Sequence, residues 1–153
     1  MKVFSVDADS FKVAIAVFEN DKFAGETLLI SGGKKYNADT RARNIYYSFC
    51  KFLDESKPDM VVIERSVYTQ NFISSRTISE VIGFCKLACG QRNIPFNSVH
   101  NTSWKKYICK GNASKSEIKE VILKKFPELS DREQDEIDAV GIGLYYLSLK
   151  KEV

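Results

Sequence analysis

The sequence predicts an α/β fold with a central mixed sheet of five strands and helices on both faces. Three extended segments come first and are separated by short polar turns. Two further apolar segments follow, each after a long helical pattern. Strands joined by tight turns pair antiparallel, whereas strands separated by a helix can pair parallel. The order β-β-β-α-β-α-β-α-α therefore predicts three antiparallel strands followed by parallel strands.

The first three strands are predicted to form an antiparallel meander. Residues 2–7 are rich in β-branched and aromatic side chains and end at Asp7. Residues 12–18 are predicted to be a buried strand, and residues 22–30 the third strand.

A helix from about Ala38 to Ser56 and a buried strand follow. Four apolar residues recur at helical spacing in the helix: Ile45, Phe49, Phe52 and Leu53. Residues 60–63 are wholly apolar and lead to Glu64, which is typical of a central strand buried on both faces. We expect this strand to lie beside the first one, so that their carboxyl ends form a site.

A second helix is predicted from about Ser74 to Arg92, and a fifth strand from Pro95 to Val99. Cys85 and Cys89 lie four residues apart and share a helix face. A cysteine metal site needs further soft ligands at close spacing, which the sequence lacks. We interpret the cysteines as small buried hydrophobic residues in a reducing compartment.

The remainder of the chain is predicted to be mainly helical. Residues 101–113 form a basic loop or a short helix, and residues 114–117 match a capping box that opens a helix to Phe126. The last helix begins within residues 131–135 and runs to about residue 150. Two residues are candidate caps for it: Ser130 and Asp131.

Length and composition indicate one globular domain, residues 1–153. The apolar runs are short and interrupted by charges, so that we expect no membrane span. The N-terminal residues do not match a secretory signal, which predicts an intracellular protein. For a bacterial protein this is the cytoplasm or nucleoid, and for a viral or organellar protein the host cell or the organelle.

Charge is unevenly distributed along the chain. Residues 101–126 hold seven lysines and two acids, whereas residues 127–138 hold six acids and one arginine. A charge run is usually a solvated face. A basic stretch next to an acidic cluster also suits a protein that attracts a polyanion and binds hard cations.

Four acids occupy informative places. Asp7 and Glu64 end apolar strands, where an unpaired charge is costly, and Asp135 and Asp138 share a helix face. If they converge, divalent cations would remove their mutual repulsion, and oxygen-only ligands favour Mg²⁺ or Mn²⁺. Two such ions can activate a water molecule and stabilise the leaving oxygen of a phosphodiester.

Each acid also has a simpler interpretation. Asp7 could cap a turn, and Glu64 could pair with Arg65 or another surface cation. Asp135 and Asp138 could favour the positive end of a helix. A Ser/His/Asp triad is not credible, because the single histidine, His100, lies in a polar loop.

Four motifs together resemble the RuvC-type Holliday-junction resolvases of the RNase H-like superfamily. They span nearly the whole chain in the family's order: residues 3–7, 61–64, 111–116 and 134–139. The resemblance implies a homodimer that cuts two opposed strands of a four-way DNA junction and leaves 5′-phosphate and 3′-hydroxyl ends. It also implies dimerisation through the helix near residues 74–92.

The resemblance assigns the site residues. It implies two Mg²⁺ ions, with Mn²⁺ able to substitute, on Asp7, Glu64, Asp135 and Asp138. Lys115 would lie beside the scissile phosphate, although a solvent-exposed first-turn lysine is the simpler interpretation. Lys105 or Lys106 matches a second lysine of the family. The predicted DNA-binding residues are Tyr68, Lys105, Lys106, Lys110 and Lys119, with Arg76, Lys34 and Lys35 as weaker candidates.

The sequence departs from the family pattern at two places. Asp9 stands where the family usually has glycine, and we expect it to tolerate a left-handed turn or to add charge at the metal site. Tyr68 lies in the region of the family's junction-wedging aromatic residue, where it could stack on a base or be partly buried.

A nuclease acting on RNA or on other branched DNA is the alternative function. A non-catalytic nucleic-acid-binding module is the third, and the intact set of four acids argues against it.

Overall fold

A mixed five-stranded sheet forms the centre of the fold, as the order of elements predicts. The computed structural model describes residues 1–65 and 70–151. The strands are β1 (Lys2–Ala8), β2 (Lys12–Glu19), β3 (Lys22–Ser31), β4 (Met60–Glu64) and β5 (Phe96–Val99). The helices are α1 (Ala38–Ser56), α2 (Phe72–Gln91), α3 (Asn101–Ile108), α4 (Lys115–Lys125) and α5 (Gln134–Lys151). Within the described ranges, no helix has the length and apolar character needed to cross a membrane.

The strand order is β3-β2-β1-β4-β5. The first three strands pair antiparallel, and β4 pairs parallel with β1 on one side and β5 on the other. The prediction that the first and fourth strands lie side by side is confirmed. Val6 pairs with Ile63, so that Asp7 and Glu64 are the next residues at two adjacent carboxyl ends.

Helices cover both faces of the sheet. Helices α1 and α2 pack with Phe4 and Val6 in one core, whereas α3, α4 and α5 pack on the other face with Val3. Because strand side chains alternate between faces, Asp7 shares the α5 face with Val3 and Ser5. The Ser5 hydroxyl donates a 2.6 Å hydrogen bond to the backbone carbonyl of Ala139 in α5. This contact fixes the beginning of α5 over the end of β1.

Glycine permits the close approach of α5 to the sheet. A Cβ atom at Gly143 would lie 2.1 Å from the Phe18 ring and 2.7 Å from the Ser5 hydroxyl oxygen. Real side-chain atoms do not pack at such distances, so that only a residue without Cβ fits. The absence of a side chain here therefore helps to set the distance between the first strand and the helix that carries two of the acids.

Several local predictions are resolved by the structure. Residues 101–108 are helical, the capping box of α4 is confirmed, and α2 begins at Phe72, capped by Asn71. Neither Ser130 nor Asp131 caps the last helix, because α5 begins at Gln134. The carboxylate of Glu136 instead accepts a 3.0 Å hydrogen bond from the N–H of Glu133.

The predicted burial of the cysteines is confirmed for three of them. Cys50 of α1 and Cys85 and Cys89 of α2 are buried, and all are free thiols. It is wrong for Cys109, which is exposed because it follows the last residue of α3.

Candidate active site

Three aspartates converge at the carboxyl end of β1. One carboxylate oxygen from each of Asp7, Asp135 and Asp138 lies within 4.8 Å of the other two. Asp7 comes from β1, while the other two face it from the first turns of α5. Asp138 is buried, and Asp7 and Asp135 are partly exposed. An i, i+3 pair on a helix and one strand-end acid thus form a single acidic cluster.

Glu64 lies beside this cluster but is held by α3. The side-chain amide of Asn101 donates a 3.1 Å hydrogen bond to one carboxylate oxygen of Glu64. The indole N–H of Trp104 donates to the other oxygen. Among the described residues, Glu64 does not pair with Arg65, whose guanidinium contacts His100 at 3.1 Å. The simpler interpretation of Glu64 as a surface ion-pair partner of Arg65 is therefore wrong.

The acids raise one another's proton affinity. Desolvation of its carboxylate raises the pKa of the partly exposed Asp7 well above its usual range, and the charges of Glu64, Asp138 and Asp135 raise it further. Burial also raises the pKa of Glu64, and it raises that of Asp138 to about 6. Closely spaced carboxylates that lose water in this way favour the neutral form unless positive charge is supplied.

Lys115 supplies part of that charge. It is the first residue of α4, is exposed, and lowers the pKa of three of the acids: Asp7, Glu64 and Asp138. Lys105 on α3 lowers the pKa of Glu64 as well. The resemblance matches either Lys105 or Lys106 to a second lysine of the family. In the structure, it is Lys105 whose charge acts on Glu64.

Lys12 also contacts the cluster and was not predicted. Its ammonium lies 2.8 Å from Oδ2 of Asp135 and 2.8 Å from Oε2 of Glu133. Lys12 begins β2, immediately across the turn from Asp7. The predicted meander already indicates that Lys12 lies near Asp7, because the second strand of a hairpin begins at the end where the first strand finished.

The other predicted DNA-binding residues lie on several different elements. Lys106 is exposed on α3, and Lys119 is partly exposed on α4. Lys110 forms an ion pair with Glu117 at 2.6 Å, and Arg76 forms one with Glu80 at 3.1 Å. Lys34 and Lys35 lie over the aromatic rings of Phe11 and Tyr36. Tyr68 lies outside the described residues.

Asp9 does not adopt the left-handed conformation that we expected. Its φ is not among the positive values of the described chain. Its carboxylate accepts a 2.6 Å hydrogen bond from the N–H of Ser10, which is a local turn contact. Asp9 also lies outside the cluster of three aspartates.

The donor set of the cluster fits a divalent metal ion. All three converging groups are carboxylates, with no sulfur or imidazole donor. Hard cations prefer such oxygen ligands, and zinc prefers nitrogen and sulfur. A cation would also offset the repulsion that raises the pKa values of the acids.

Comparison with known proteins identifies the family of this chain. No profile of a known protein family matches the chain. The crossover junction endodeoxyribonuclease RuvC of Thermotoga petrophila is 30% identical over 152 residues, covering 94% of this chain and 90% of that protein. The structure of Thermus thermophilus RuvC gives a TM-score of 0.79 at 15% identity, covering 99% of this chain and 97% of that chain. The same protein in complex with a Holliday junction substrate gives 0.80 at 14% identity, covering 99% and 96%. These likenesses show the fold, and because the Thermotoga relative is similar over nearly the full length of both chains, this chain belongs to the RuvC family of crossover junction endodeoxyribonucleases.

Proposed function

We propose that this protein resolves four-way DNA junctions by symmetric, metal-dependent hydrolysis of two opposed strands. The nicks carry 5′-phosphate and 3′-hydroxyl ends. The observation that carries the proposal is the convergence of Asp7, Asp135 and Asp138 at the end of β1, with Glu64 on the adjacent strand. Such a cluster is costly without cations and is suited to phosphodiester chemistry.

The metal ligands are Asp7, Glu64, Asp135 and Asp138. We assign them two Mg²⁺ ions, which Mn²⁺ can replace, because both ions favour carboxylate oxygen. When held by these residues, the ions would supply activation of a water molecule and stabilisation of the leaving oxygen. The raised pKa values of Asp7, Glu64 and Asp138 support this assignment, since cation binding favours the ionised form of all three.

Neighbouring side chains orient the acids. Trp104 and Asn101 each donate to one oxygen of Glu64, so that the carboxylate has a defined rotation before substrate arrives. The side-chain amide of Gln134 donates a 2.8 Å hydrogen bond to Asp138. Donors that are already oriented need little reorganisation during reaction.

Lys115 is assigned to the scissile phosphate. It lies at the N-terminus of α4, where its ammonium and the helix dipole both favour an anion. A cation placed there stabilises the negative charge that develops on the phosphate oxygens. Lys105 adds positive charge on the Glu64 side of the site.

DNA binding is assigned to the predicted set of Tyr68, Arg76, Lys105, Lys106, Lys110 and Lys119. Contacts from lysine to phosphate position the substrate and make its affinity depend on salt, without reading sequence. Lys110 is the weakest member of the set, because it would have to leave its ion pair with Glu117.

A homodimer supplies the two active sites that symmetric cutting requires. Helix α2 exposes large apolar side chains at Phe72, Ile73, Phe84 and Leu87. Phe84 and Leu87 also line a groove of about 600 Å³ against α1. Exposed apolar surface of this kind marks an interaction site, and we assign it to a second copy of the chain. With DNA as the substrate, the enzyme works inside a cell.

The test is cleavage of a synthetic four-way junction by purified protein with Mg²⁺ or Mn²⁺. We expect paired nicks at symmetric positions in opposed strands. Equal cutting of linear duplex would exclude a junction resolvase, and cutting of RNA hybrids or flaps alone would favour the alternative nuclease function. Asp138→Asn should abolish cutting while junction binding is retained, and a normal cutting rate in that variant would refute the metal assignment.

A further inference from the structure

Lys12 connects the cluster of three aspartates to Glu133, an acid outside the cluster. Its ammonium contacts Asp135 and Glu133 at the same distance, 2.8 Å. The Asp135 side chain is 13% exposed, whereas that of Glu133 is 54% exposed. Lys12 therefore bridges an inner carboxylate of the cluster and an outer carboxylate that faces solvent.

Lys12 and its two partners come from different elements of the fold. It extends from β2, while both partners belong to the beginning of α5 and the residue before it. A lysine side chain is an ammonium at neutral pH. A fixed positive charge thus occupies one oxygen of a carboxylate that the proposed function gives to a divalent ion.

We propose that Lys12 is a positioning residue of the metal site, which holds Asp135 in the cluster without metal and competes with a divalent cation for that carboxylate. The inference rests on the proposed function to the extent that Asp135 is a metal ligand. Glu133 gives the ammonium a second partner. When a cation takes Asp135, the flexible lysine chain can remain paired with Glu133 at the solvent edge.

The test measures metal binding without DNA or cleavage. Mn²⁺ is titrated into metal-free protein by calorimetry at about pH 8, for wild type and Lys12→Met. The variant keeps the aliphatic stem and removes the charge. We expect its Mn²⁺ affinity to rise about 1.5-fold to fivefold, which is the range for loss of one partly exposed competing ion pair. In EDTA, its melting temperature should fall, because the cluster loses its internal cation.

Three controls separate competition from a general change of charge. The double variant Lys12→Met/Glu133→Gln removes one positive and one negative charge, so that net charge is unchanged, and it should still bind Mn²⁺ more tightly than wild type. Lys2→Met removes a lysine that pairs with Glu19 at 3.4 Å, at the opposite end of the sheet, and should leave Mn²⁺ affinity unchanged. Lys12→Arg retains a cation and should stay close to wild type in both affinity and melting temperature.

The outcomes distinguish the two proposals. If wild type binds Mn²⁺ and Lys12→Met binds it equally or more weakly, the competing role of Lys12 is refuted while the metal site stands. If wild type binds no Mn²⁺, the metal assignment itself fails, and the role of Lys12 fails with it. Should Lys12→Met not fold, Lys12→Arg decides the question, since tighter binding by a variant that keeps the cation would contradict competition.

Discussion

The indole N–H of Trp104 donates to the carboxylate of Glu64, while the ring of Trp104 packs against Gly141 of α5. A Cβ atom at Gly141 would lie 2.9 Å from that ring, so that the contact depends on glycine. Trp104 is fully buried. One side chain therefore couples the acid at the end of β4 to the helix that carries Asp135 and Asp138.

Trp104→Phe should lower kcat for junction cleavage by about tenfold or more, with little change in KM. The substitution keeps an aromatic ring against α5 but removes the donor that orients Glu64, and a hydrogen bond to a charged group is worth about 1.5–3 kcal/mol. Single-turnover and steady-state cleavage measure the effect. Asn101→Ala, which removes the donor to the other oxygen, should lower kcat less, because Asn101 is partly exposed. A wild-type kcat for Trp104→Phe would show that Glu64 does not depend on this contact.

Metal-free protein should lose stability as pH rises through about 6. Burial raises the pKa of Asp138 from its ordinary value to about 6, so that the folded state holds this proton more tightly than the unfolded state. The stabilising contribution is complete below about pH 4 and is lost as pH rises past the folded pKa. For Asp138 this corresponds to about 3 kcal/mol.

The matched variant for this prediction is Asp138→Asn, which cannot ionise. In EDTA at about pH 7.5, urea denaturation should show the variant to be more stable than wild type by up to about 3 kcal/mol. Near pH 4 the two proteins should be equally stable. Added Mg²⁺ should stabilise wild type and leave the variant nearly unchanged. A stability difference that does not depend on pH would mean that Asp138 ionises normally in the fold.

Gly143→Ala should destabilise the protein by about 1–3 kcal/mol, the range for overpacking a well-filled core. The added carbon would meet the Phe18 ring at 2.1 Å and force α5 away from β1. Urea denaturation measures the loss. Gly90→Ala is the control, since nothing lies within 4 Å of a Cβ atom at that exposed position in α2. It should stabilise by about 0.5–1 kcal/mol. Equal effects of the two substitutions would contradict the close packing of α5.

Periodicity and chain order predicted all five strands and the placement of Asp7 and Glu64 on adjacent strand ends, and the structure confirms both. Side chains alternate along each strand, which explains why both acids lie on the sheet face that α3, α4 and α5 cover. These features depend on local patterns and on simple rules of strand pairing.

The contacts that complete the site could not be predicted in the same way. Trp104 reaches Glu64 across 40 residues, and Lys12 reaches Asp135 from another layer of the fold. Which of Lys105 and Lys106 faces the acids depends on the rotation of α3, and an eight-residue helix has little periodic signal to fix it. The buried carboxylate of Glu136, which accepts a hydrogen bond from Thr27, also depends on how α5 lies over the sheet.

Leu87→Asp should convert a dimer into a monomer. Leu87 is 50% exposed on α2 and lies beside Phe84 in the groove that we assign to a second copy. A carboxylate there would be desolvated without a partner in the assembled dimer, which opposes association.

Leu149→Asp is the matched control, because Leu149 is 41% exposed on α5, away from α2. Sedimentation at micromolar concentration should show a dimer for wild type and Leu149→Asp, and a monomer for Leu87→Asp. The monomeric variant should also lose paired cutting of the junction, since each molecule then brings a single active site. A dimer that survives Leu87→Asp would place the interface elsewhere on the chain, and a monomeric wild type would contradict the homodimer itself.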